Sequence, residues 1–77
     1  MRSIAGYNEA AKRGKETAMK YCQQWQSDIT RSGTDLAADY TNKKMDKTTY
    51  NIKREMLNKQ TRDLNDCIQS INRRFGV

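Results

Sequence analysis

Along the first third of the chain, Ile4, Tyr7, Ala11, Ala18, Cys22, Trp25 and Ile29 recur at steps of three, four or seven. At 3.6 residues per turn that spacing puts them on one face of a helix, predicted over residues 3–31. The centre of the face is small (Ala11, Gly14, Ala18), which would let another helix backbone come close. Tyr7, Tyr21 and Trp25 supply bulk toward the ends. The strongest break in the pattern is Arg31-Ser32-Gly33-Thr34-Asp35. There Gly33 can take the left-handed conformation that closes a helix, Thr34 can cap the next helix, and Asp35 puts negative charge in its first turn.

Past the break, Tyr50, Leu57, Leu64 and Ile71 repeat every seven residues. Arg54, Thr61, Ile68 and Phe75 follow four positions behind each, and Met56 and Cys67 widen the stripe. Residues 41–49 are poor in apolar side chains and rich in Thr, Asn and Asp, which compete for backbone hydrogen bonds and favour a kink or short loop. The pattern predicts a single all-α domain over residues 1–77. Two architectures fit it: a long helical hairpin turning at Gly33, or a small three-helix bundle with helices over 3–31, 35–44 and 47–75. In the hairpin the last two helices are continuous.

Composition adds a constraint. A chain of 77 residues with 35% hydrophobic content and a mean hydropathy of -1.09 builds a marginal core, so a disulfide, a metal or a partner chain must supplement it. The absence of proline favours uninterrupted helices. No apolar run is long enough to span a membrane, and the stretch from Met1 to Glu16 lacks the apolar centre of a signal peptide. The chain is therefore expected to be soluble, either cytoplasmic or exported after removal of a leader.

Fifteen Lys and Arg against nine Asp and Glu give a net charge of +6, which suits an anionic partner. Glu9 with Arg13, Glu16 with Lys20, Asp39 with Lys43 and Glu55 with Lys59 are spaced as i,i+4 pairs on helix surfaces. Lys43, Lys44, Lys47, Lys53 and Arg54 form the main concentration of bases and are the candidate anion-contacting residues, the other reading being a solvated helical surface that keeps a small protein soluble. Asn51, Arg54, Asn58 and Arg62 lie near one another on the last helix, as a groove-reading helix would require. Tyr40 and Tyr50 flank this region, either to stack on bases or to cover the helix junction.

Zero histidine and two cysteines exclude a four-ligand zinc site and a Cys-His nucleophile pair within one chain. With no phosphate-binding loop, paired-carboxylate site or Ser-His-Asp set, the sequence predicts no enzyme and no cofactor. Cys22 and Cys67 are the candidate disulfide, and geometry divides the outcomes. If the chain returned as one straight helix from Gly33, Cys67 would lie about 33 residues from the turn and Cys22 about 11, a mismatch of ~30 Å that no bridge spans. If residues 34–48 carried the chain back, the first and last helices would run side by side and the bridge could form. Free or interchain cysteines remain the other reading. Functionally, the expectation is a protein-protein interaction module acting by self-association or by docking Trp25, Leu57, Leu64, Ile68, Ile71 and Phe75 on a partner. A basic nucleic-acid-binding regulator and an exported, disulfide-stapled inhibitor or surface protein are the alternatives.

Overall fold

The structure is a computed structural model describing residues 2–76. It contains α1 (Ile4–Ala11), α2 (Lys15–Thr41) and α3 (Lys47–Phe75), so the all-α expectation holds. α2 and α3 form an antiparallel hairpin, and α1 folds back over its open end. The whole measures 45 × 19 × 15 Å.

The helix boundaries correct the sequence reading in two places. First, the predicted helix over 3–31 is interrupted after Ala11, and the helical path resumes at Lys15. Gly14 caps α2 at φ +118 with nothing within 4 Å of where a Cβ would stand. Its value is a backbone conformation open almost only to glycine, not the close helix approach expected of it. Close approach occurs instead at Gly6, where a Cβ would collide with the Tyr21 ring and hydroxyl.

Second, the chain does not turn at Gly33. α2 continues through Ser32, Gly33, Thr34 and Asp35 without a break, absorbing the predicted helix over 35–44 as far as Thr41. The Thr34 hydroxyl donates back to the Thr30 carbonyl, 3.0 Å away, instead of capping a new helix. Burial explains the continuity. Trp25, Ile29 and Leu36 keep the four- and seven-residue rhythm across the glycine, and Leu36 is buried.

The turn falls in the polar stretch that the sequence had marked as weak. Lys43 adopts φ +60. Its N–H donates to the Tyr40 carbonyl at 3.1 Å, and the Lys44 N–H donates to that of Asp39 at 2.8 Å. Together these make the two-bond Schellman closure, with lysine where glycine is usual. Asp46 then starts α3 by accepting from the Thr49 N–H at 2.8 Å. That bond, seconded by the Thr49 hydroxyl, holds the Asp46 carboxyl below its ordinary pKa. At the far end α3 closes at Phe75, as predicted.

With the turn at residues 42–46, Cys22 stands 19 residues before the end of α2 and Cys67 20 residues after the start of α3. They face each other and form a disulfide, with Cα atoms 6.4 Å apart. A turn at Gly33 would have kept them ~30 Å apart; the chain turns about ten residues later. Around the bridge Tyr7, Ala11, Ala18, Trp25, Leu64 and Ile71 make one buried cluster, with Ile4, Tyr21, Ile29 and Phe75 packed on it. The indole N–H of Trp25 donates to the Gln60 side-chain oxygen at 3.0 Å, tying α2 to α3 at the lower edge of the cluster.

None of the four predicted i,i+4 charge pairs forms among the described residues. Arg13 sits in the break after α1 and Lys43 lies past the end of α2, so both are off the helical spacing. Lys12 bonds Glu9 and Lys59 bonds Asp63 instead, and Arg2 bonds Asp28 across the fold.

Candidate functional site

α1 covers only half of one face of the hairpin. Arg2 and Ser3, just before α1, and Gly6 in its first turn meet Tyr21, Gln24 and Asp28 of α2. The Tyr21 hydroxyl accepts from the Ser3 N–H at 2.9 Å and donates to the Ser3 carbonyl at 3.1 Å. Arg2 donates to Gln24 at 2.9 Å and to Asp28. Continued in helical steps of four, three and four, this line runs from Asp28 to Ser32, Asp35 and Asp39, so these residues share the α1-bearing side of α2. No helix lies over them.

The uncovered part is a groove of about 440 Å³ between α2 and α3, next to the turn. Leu36 and Leu57 form its floor, and Met45 and Met56 line it. Asp35 and Asp39 edge it on α2, and Lys53 edges it on α3. Among the described residues none of these three charges has an ion-pair partner. Met56 is 64% exposed, and Ile52, one turn before it, 59%. The groove combines apolar surface with opposite charges on its two rims. A second, smaller depression of about 230 Å³ lies on the other side of the hairpin, where Met19 and Ile68 stand beside Gln23, Gln26 and Asn72.

The residues proposed from sequence as an interface are dispersed. Trp25, Leu64 and Ile71 lie in the core and Phe75 packs against it half-buried. Leu57 is half-buried on the groove floor. Ile68 stays 42% exposed because the buried column of α3 passes through Cys67, three positions after Leu64 and not four. The candidate anion-contacting residues are all exposed but do not share one surface. Lys43 and Lys44 lie in the turn, Lys53 on the groove, and Lys47 and Arg54 on a different side of α3. Tyr40 and Tyr50 stack on each other across the turn, centroids 4.3 Å apart, and so cover the helix junction.

Sequence reasoning missed Leu36 and Met45 as groove residues. Leu36 had a signal, eleven residues after Trp25 on the same stripe. Met45 had none, since only the fold of the turn brings it over the seam. No group of three or more His, Cys, Asp or Glu among the described residues is placed to hold a metal ion. No described helix is long and apolar enough to cross a membrane. No protein-family model, curated protein or solved structure matches this chain.

Proposed function

We propose that this protein is a non-enzymatic interaction module, a stapled helical hairpin whose groove beside the turn receives a helix of a protein partner. One observation carries the reading. The seam that α1 covers at the open end continues uncovered at the other, with Leu36, Leu57, Met45 and Met56 as its surface. Methionine suits a recognition surface because its unbranched, polarisable side chain adapts to different partners. Helix-in-groove docking uses apolar anchors at i, i+3, i+4 and i+7, and α1 does this within the chain through Ile4, Tyr7 and Ala11. Charged rims of opposite sign give the bound helix one preferred direction.

Photo-cross-linking tests the reading in cells that produce the protein. A photoreactive residue replacing Met56 is expected to give a discrete protein adduct, either a second copy of this chain or another protein. The same residue replacing the exposed Lys20 of α2 is not. Adducts no stronger from position 56 than from position 20 would defeat the proposal.

A further inference from the structure

On α3, Lys47, Asn51, Arg54, Asn58, Arg62, Asn65, Gln69 and Asn72 follow one another at steps of three and four, so they stack on one side of the helix. All eight are exposed. The column has no acid and no apolar residue, and it runs ~38 Å at 1.5 Å per residue. The acids of α3 are Glu55 and Asp66, both at the column's edge, and Asp63, off it. The column lies away from the buried line of Leu64, Cys67 and Ile71. Its last member, Asn72, opens onto the depression on the side of the hairpin opposite α1. It is thus separate from the groove of the proposed function.

We infer that this column is a second binding surface and that its ligand is duplex DNA, with α3 lying in the major groove. Three features of the column carry the inference. Its bases, Lys47, Arg54 and Arg62, recur about every 11 Å along a straight helix, so a polyanion can meet all of them at once. The positions between them are amides, and Asn or Gln pairs two-pronged with adenine edges in the major groove while the bases hold the phosphates. A major groove about 12 Å wide admits one α-helix, and α3 presents this side free of any packed element. A membrane surface fits less well, because an interfacial helix needs apolar side chains on the face it buries.

The test is fluorescence anisotropy of the oxidised protein with a labelled DNA duplex of about 20 base pairs, two helical turns. Three phosphate contacts predict saturable binding that weakens about 40-fold between 50 and 200 mM salt. Arg54→Ala with Arg62→Ala is expected to weaken binding about tenfold or more. Lys20→Ala with Arg31→Ala removes the same charge from exposed positions on α2 and is expected to change affinity less than about twofold. Duplex RNA, whose major groove is too narrow for a helix, is expected to bind more weakly. All four side chains are exposed, so both double variants should retain the fold. Three outcomes would overturn the inference: no binding in about 50 mM salt, equal losses in the two double variants, or equal competition by polyglutamate, which would mark an acidic protein as the ligand.

Discussion

From Trp25 to the open end, the seam between α2 and α3 is sealed by a disulfide, an indole and a third helix. From Ser32 to the turn, the same two helices enclose a groove. Backbone geometry does not distinguish the halves, since both consist of straight antiparallel helix. Side-chain supply does. The open half has Tyr7, Ala11, Ala18, Trp25, Leu64 and Ile71 packed about the bridge, whereas the closed half has Leu36 buried and little else. A chain this short cannot fill two cores. It concentrates stability at one end and leaves the other as surface.

The bridge is the strongest test of this contrast. For residues 45 positions apart, the chain-entropy relation gives about 4 kcal/mol. Replacing both cysteines with serine is expected to lower the melting temperature by at least about 15 °C, as read by circular dichroism. A shift of only a few degrees would mean that packing alone holds the open end. Intact mass under non-reducing conditions checks the bridge directly, through a two-proton deficit.

Single substitutions at the two ends come next. Gly6→Ala forces a methyl group against the Tyr21 ring and hydroxyl and is expected to cost about 1–3 kcal/mol in urea denaturation. Met56→Ala, at the 64% exposed groove position, is expected to stay within about 0.5 kcal/mol. The reverse order would break the division into an end that holds the fold together and an end that does not.

Smaller effects sharpen the picture of the closed half. Lysine holds a left-handed position at 43 while glycine sits mid-helix at 33. Lys43→Gly is expected to gain about 1 kcal/mol by removing backbone strain. Gly33→Ala is expected to gain about 0.5–1 kcal/mol through helix propensity and a less flexible unfolded chain. Loss of stability in either would show that the turn or helix is not as described.

The smallest effect is the pH response of the α3 cap. The pKa of Asp46 in the folded chain lies below its ordinary 3.8 because the Thr49 N–H, then the Thr49 hydroxyl, bond the carboxylate. Its contribution is therefore fully present above the ordinary value and is lost as pH falls through the lowered one. The Thr49 amide resonance is expected to titrate with this group and to stop titrating in Asp46→Asn. A Thr49 amide indifferent to pH in the unmodified chain would remove the cap.

Much of the architecture was legible in residue spacing. The all-α class, α3 almost to the residue and the buried run from Tyr7 to Trp25 follow from a 3.6-residue period that packing and helix geometry both enforce, whereas the turn was expected at Gly33, with residues 41–49 marked only as a kink or short loop. The groove was not legible, because it is defined by what α1 fails to cover. The column on α3 was half legible: Asn51, Arg54, Asn58 and Arg62 stood out, but its continuation to Asn72 on a free side of the helix required the packed face to be known.

The sequence by itself determined that the chain is helical, that its core is too small to stand without a supplement, and that two cysteines were available to supply one. Only the tertiary structure decided where α2 ends, because a local glycine signal is worth about 1 kcal/mol and yields to the larger gain from burying a continuous stripe. Moving the turn from Gly33 to Lys43 set the register of α2 against α3. That register brought Cys22 to Cys67, sealed one end of the hairpin and left the groove open at the other.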